Sequence, residues 1–183
     1  TLDLETNWEI FFATLLLLAE VYTWLILLLG YIQTAWPLKR PSVRMPVNLD
    51  AYPTVDIYIP TYNEPLAVVK PTVLAAKGID WPKDKLRVYL LDDGRRPAFR
   101  DFAEEAGVTY IVRDNNRHAK AGNLNNALNV TDGEYIAIFD CDHAPTRAFL
   151  QMTAGWLVRD QRLALVQTPH YFYSPDPFER NLA

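Results

Sequence analysis

Cysteine is almost missing from this chain: Cys141 is the only one among 183 residues. A single thiol excludes an internal disulfide framework and a cysteine-rich zinc site. Its neighbours mark it as a small residue at a strand end rather than a redox group. Basic charge is also scarce, with 18 Lys and Arg against 22 Asp and Glu, a net charge of -4 and a pI near 5.3. A nucleic-acid binder would show a basic face, so no nucleic acid is expected as a partner. No Gly-x-Gly-x-x-Gly and no Gly-Lys-Ser/Thr occurs, so the usual dinucleotide and P-loop signals are absent. No internal repeat is evident.

What is present begins with a long apolar run, Ile10 to Ile32, interrupted by Glu20 and a few Thr, Tyr and Gly residues. As a helix at ~1.5 Å per residue it reaches about 35 Å, enough to cross a hydrocarbon core of ~30 Å. Trp8 and Trp36 flank it where interfacial aromatics belong. Asp3, Glu5 and Glu9 precede it, whereas Lys39, Arg40 and Arg44 follow, which places the later residues on the cytoplasmic side of a membrane. A signal peptide would need basic residues before the run and small ones after it, and neither is there. Glu20 would cost roughly 2–4 kcal/mol facing lipid, so this span is expected to pack against others. The expected organisation is a transmembrane helix with short flanks over 1–36, a proline-rich cytoplasmic linker over 37–53, and the first part of an α/β domain over 54–183. The start at Thr1 and the stop at Ala183 read as those of a fragment.

From Thr54 the pattern alternates between strands and helices. Strands are expected at Val55–Ile59, Leu86–Leu91, Thr109–Val112, Tyr135–Phe139 and Leu163–Val166, by β-branched and apolar content. Helices are expected over Leu66–Lys77 (kinked or delayed by Pro71), Pro97–Ala106, about Ala121–Leu128, and Arg147–Arg159. On the last, Phe149, Met152, Trp156 and Leu157 recur at helical spacing as core contacts. Repeated β-α units imply a mostly parallel sheet with helices on both faces.

Parallel strands bring their carboxyl ends to one rim, where open α/β sheets bind ligands. Those ends are polar: Pro60-Thr61-Tyr62-Asn63-Glu64, Asp92-Asp93-Gly94 and Asp140-Cys141-Asp142-His143. A fourth cluster, His118-Ala119-Lys120-Ala121-Gly122-Asn123, precedes a helix whose N-terminus favours anions. Asp140 and Asp142 offer hard oxygen ligands suited to Mg²⁺ or Mn²⁺ shared with phosphates. Singly, each cluster is explained by turns or helix caps. Together on one edge they describe a site for a nucleotide diphosphate held through a divalent metal.

The order and wording of these clusters resemble the family-2 glycosyltransferases, inverting enzymes of GT-A (Rossmann-like) fold. Gln167-Thr168-Pro169-His170 and the segment Asp176–Leu182 favour the processive, cellulose-synthase type. The resemblance covers nearly all of the chain after the linker, and a transmembrane helix just before the domain also fits it. It implies that Thr61 and Glu64 line the uracil and ribose pocket and that Asp92 or Asp93 contacts the uridine. Lys120 and Asn123 would face the nucleotide or its phosphates. Asp140 and Asp142 would position the diphosphate, with Asp142 touching Mg²⁺ or Mn²⁺. His143 and His170 would be pocket neighbours, and His118 would shape its loop.

The implied reaction transfers glucose from UDP-glucose to a glucan acceptor with inversion, giving a β-1,4-glucan. The family's Thr-Glu-Asp base and Gln-x-x-Arg-Trp acceptor motifs do not occur here, so the general base is expected beyond Ala183. Also implied are the bacterial cytoplasmic (inner) membrane, a periplasmic partner subunit, and cyclic-di-GMP acting through a domain outside these residues. Two alternatives remain at this point. One is another processive synthase making β-1,3-glucan, chitin or hyaluronan. The other is a non-catalytic, membrane-anchored nucleotide-sugar-binding protein.

Overall fold

The computed structural model of the protein describes residues 5–35 and 40–171. Trp36, Lys39, Asp3 and the segment Asp176–Leu182 lie outside the described residues. The chain forms two units, Thr1–Pro41 and Ser42–Ala183.

The first unit is one helix, α1 (Asn7–Ala35, 29 residues), with no buried residue along it. Glu9 returns to the backbone N–H groups of Glu5 and Thr6 and caps its start. It is long and apolar enough to cross a membrane by length and composition. Thr14, Thr23 and Thr34 donate their hydroxyls to carbonyls one turn back, which satisfies those groups without a partner helix.

The second unit alternates β1 (Val55–Thr61), α2 (Leu66–Lys77), β2 (Leu86–Asp92), α3 (Pro97–Ala106), β3 (Thr109–Ile111), α4 (Ala119–Leu128), β4 (Tyr135–Ile138) and α5 (Phe149–Arg159). The strands form one parallel sheet in the order β3-β2-β1-β4. Side chains alternate across it. Val55, Ile57, Ile59, Val88 and Leu90 point to a core shared with α2, α3 and α5. Tyr58, Tyr89 and Leu91 point the other way and meet Ala127 and Leu124 of α4. Each fully buried aliphatic side chain contributes about 1.5–3 kcal/mol.

Several boundaries follow from packing rather than pattern. Helix α2 starts at Leu66 and runs through Pro71 to Lys77. On α5 the buried residues are Leu150, Thr153, Ala154 and Gly155, whereas Met152 is exposed, one position away from the stripe expected. Gly155 is where Val43 crosses, and an added Cβ would fall 2.0 Å from the Val43 carbonyl oxygen. Val43 therefore lies against α5. Met45 and Tyr52 pack on the domain's core, and Lys85 donates to the carbonyls of Asp50 and Tyr52.

The fifth strand expected at Leu163–Val166 does not form. A strand exists only with a neighbour to bond, and this run has none among the described residues. Leu165 there is 75% exposed.

Candidate active site at the carboxyl edge of the sheet

Register places Thr61 opposite Asp92, and the Asp93 N–H donates to the Thr61 carbonyl at 3.0 Å. Phe139 continues β4 by donating to the Tyr58 carbonyl, so Asp140 and Asp142 emerge at the same rim. Between these ends and the start of α4 opens a cleft of about 530 Å³. Its wall includes Thr61, Tyr62, Glu64, Asp93, Lys120, Asn123, Asp140 and Asp142, with Asn116 and Cys141.

The β1 side of the wall is built by Glu64. Its carboxylate accepts from the Thr61 hydroxyl and the Tyr62 N–H, both at 2.8 Å. Burial pushes this carboxyl up, but those hydrogen bonds and the nearby Arg96 charge outweigh it and hold Glu64 below its ordinary range. Tyr62 is half exposed and lines the cleft.

Asp92 and Asp93 separate sharply. Asp92 is fully buried and lies behind the wall, not on it. Its oxygens accept from the Gly94 N–H, from the Arg96 N–H and guanidinium, and from the Tyr110 hydroxyl. Its carboxylate is consumed by the turn, so of the two aspartates expected at the uridine only Asp93 lines the cleft. The turn itself requires a glycine, because a Cβ at Gly94 would meet the Tyr62 carbonyl oxygen at 2.7 Å. Asp93 is held as a fork by Arg113, at 2.7 and 2.6 Å.

Tyr110 reports on this network. Burial, its hydrogen bond to Asp92 and the Asp92 charge push its phenol up to about 12. The folded state then keeps a proton that the unfolded chain releases near pH 10. Stability from this group is complete below pH 10 and falls as pH rises to about 12, by roughly 2 kcal/mol. Alkaline unfolding followed by tyrosinate absorbance should show that decline, and Tyr110→Phe should flatten this part of it.

Across the cleft, Asp140, Asp142 and His143 place one ligand atom each within 4.8 Å of one another. Two carboxylates and an imidazole suit a hard divalent cation, so the donor set fits Mg²⁺ or Mn²⁺. The Lys120 ammonium, from the first turn of α4, pairs with Asp140. The His170 ring lies 4.3 Å from that of His143 and is not part of the cleft wall. Burial, then the charges of Glu64 and Asp142, push the Cys141 thiol up to about 11, which leaves it protonated and inert at neutral pH. Asn123 turns inward: its amide donates to the Leu91 carbonyl at 3.0 Å and pins α4 to β2. His118 begins α4 in the left-handed region (φ 61°), which shapes the loop as expected of it.

Arg113, Arg96 and Asn116 were not singled out by sequence. The signal available was topological: the residues after β3 reach the same rim, so an arginine there is a candidate partner for a rim carboxylate.

Known proteins resemble the chain in sequence and in fold. Residues 56–183 match the family model described as glycosyl transferase family 2. The chain is 60% identical over 182 residues to the cellulose synthase catalytic subunit (UDP-forming) of Pseudomonas fluorescens, covering 100% of this chain and 25% of that protein. It is 58% identical over 183 residues to cellulose synthase 1 of Komagataeibacter xylinus, covering 100% of this chain and 12% of that protein. It therefore spans a quarter or less of these curated relatives. Among solved structures, the mannosyltransferase PcManGT of Pyrobaculum calidifontis, in complex with GDP-Man and Mn²⁺, superposes with a TM-score of 0.56 at 31% identity. That match covers 71% of this chain and 39% of the other. S. aureus TarS 1-349 with UDP-GlcNAc gives a TM-score of 0.52 at 19% identity, over 58% and 31% of the two chains, a likeness of fold alone. A parallel GT-A sheet with an acidic pair at its carboxyl edge, and a family match over most of the sequence, lead to one conclusion: this chain belongs to glycosyl transferase family 2.

Proposed function

We propose that the chain is the donor-binding part of a processive, inverting glycosyltransferase that takes glucose from UDP-glucose to extend a β-1,4-glucan. The observation that carries this is the cleft itself. Asp93, Glu64 and Lys120 share its wall with the Asp140–Asp142 pair, around a volume of about 530 Å³ that suits a nucleotide sugar. The sugar and linkage rest on similarity to relatives described as UDP-forming cellulose synthases.

In this reading the Tyr62 ring and the Thr61–Glu64 loop bind the base and ribose, and Asp93 closes that end. Lys120 offers its ammonium to a phosphate oxygen at a helix N-terminus. Asp140 and Asp142, with His143 beside them, would hold a divalent cation, Mg²⁺ or Mn²⁺. Such a cation, when bound, neutralises charge on the departing diphosphate. Proton removal from the acceptor hydroxyl is assigned to no residue of this chain.

The division into a membrane helix (1–36), a connecting segment (37–53) and a donor-binding domain (54–183) belongs to the same proposal. So does a cytoplasmic face of the bacterial inner membrane for the domain, supported by Arg40 and Arg44 after α1. A periplasmic partner and cyclic-di-GMP control are proposed for the whole protein only.

Calorimetric titration of UDP into the protein tests the site. Binding that strengthens with Mn²⁺ or Mg²⁺ and is competed by UDP-glucose is expected; a protein indifferent to UDP would overturn the reading.

A further inference from the structure

The donor-site reading leaves one buried cation without a task. Arg113 is not on the cleft wall, and its side chain is 7% exposed, as is that of Asp93. Its guanidinium makes four hydrogen bonds: two to Asp93, one to the Arg117 carbonyl at 2.6 Å and one to the Ala119 carbonyl at 2.8 Å. Those two carbonyls bracket His118 and Ala119, successive residues at φ 61° and 44°. Neither is glycine, so this backbone persists only where its surroundings impose it. The next residue is Lys120.

Three further hydrogen bonds brace the same loop. The Arg95 guanidinium donates to the Arg113 carbonyl and to Asn116, and the Asn116 amide donates to the Asp93 carbonyl. Gly122 shows how close the fit is. A Cβ there would lie 2.1 Å from the Arg117 carbonyl oxygen and 2.5 Å from Arg113 Nη1.

We propose that Arg113 is a positioning residue that sets the phosphate end of the cleft. It ties Asp93 at the end of β2 to the left-handed turn that aims Lys120, and it touches no donor atom itself. The inference rests on the donor-site reading above. Lysine at this position keeps a cation beside Asp93, but one ammonium on a flexible stem cannot replace a planar fork that also reaches two carbonyls. The Asp93 end then survives while the Lys120 end loosens.

The test titrates UDP and uridine separately into the wild-type protein and into Arg113→Lys, Lys120→Ala and the double variant, all with Mn²⁺. Arg113→Lys is expected to lose about tenfold or more in UDP affinity while uridine affinity stays within about twofold. Lys120→Ala should show the same pattern, and the double variant little more than either single one. Retained uridine binding certifies that the pocket is folded. Gly122→Ala, which keeps both charged groups but crowds the Arg113 guanidinium and the Arg117 carbonyl, should reproduce the UDP-selective loss. Equal losses for UDP and uridine, or an unchanged UDP affinity in Arg113→Lys, would overturn the proposal. Failure of the wild-type protein to bind UDP would instead bring down the donor-site reading, and this inference with it.

Discussion

Asp142→Asn should abolish the metal-dependent part of UDP binding and leave the domain folded. The Asp142 side chain is 64% exposed, and the contact that engages it among the described residues is His143 Nε2 at 3.7 Å. It contributes no packing and closes no turn, so its removal has little to destabilise. Yet it lies beside Asp140 and His143, close enough for the three groups to converge on one cation. Asparagine keeps the shape and removes the charge that a hard cation requires. Loss of an outer-shell partner typically weakens metal sites 10–100-fold, so loss of a direct ligand should cost UDP affinity about a hundredfold or more in Mn²⁺. Without metal, variant and wild type should bind UDP alike. An unchanged affinity in Mn²⁺ would remove Asp142 from the metal site.

Asp92→Asn should have the opposite character, a large loss of stability. The carboxylate is fully buried and serves the Gly94 and Arg96 N–H groups, the Arg96 guanidinium and the Tyr110 hydroxyl. An amide supplies a donor where only acceptors are wanted, and it leaves the partly buried Arg96 cation without its counter-charge. Breaking such a pair from one side costs about 3–5 kcal/mol. At roughly 3–5 °C per kcal/mol for a domain of this size, the unfolding midpoint should fall by about 10–20 °C. Cys141, the chain's one thiol and a buried one, makes the measurement simple. A thiol-reactive fluorophore labels it as the domain opens on heating. A variant that melts with the wild type but no longer binds UDP would put Asp92 back among the ligand contacts.

These two aspartates show where sequence reading succeeds and where it stops. The α/β class, the parallel sheet, and the rim joining Thr61, Asp93, Lys120, Asp140 and Asp142 are legible because strand-ending polar clusters recur in parallel order. Which of Asp92 and Asp93 faces the cleft is not legible. Successive residues at a strand end point to opposite sides, and that choice depends on the path of the turn at Gly94. Asn123 was legible as part of a motif but not as an anchor to the Leu91 carbonyl. Arg113 escaped because its partners are a carboxylate twenty residues earlier and two loop carbonyls, which carry no periodicity. The strand expected at Leu163–Val166 failed because apolar content describes a side chain's preference, whereas a strand also needs a neighbour's hydrogen bonds.

The central claim is transfer of glucose from UDP-glucose into a β-1,4-linked polymer, and it is tested most directly on the product. Membranes from cells expressing the native gene would be supplied with labelled UDP-glucose and Mg²⁺ or Mn²⁺. The insoluble polymer would then be digested with a β-1,4-glucanase or a β-1,3-glucanase. Label released by the β-1,4 enzyme alone is the predicted result. Polymer that resists it, or none formed from UDP-glucose while the protein still binds UDP, would contradict the assignment and leave a nucleotide-binding family-2 domain with another sugar or linkage.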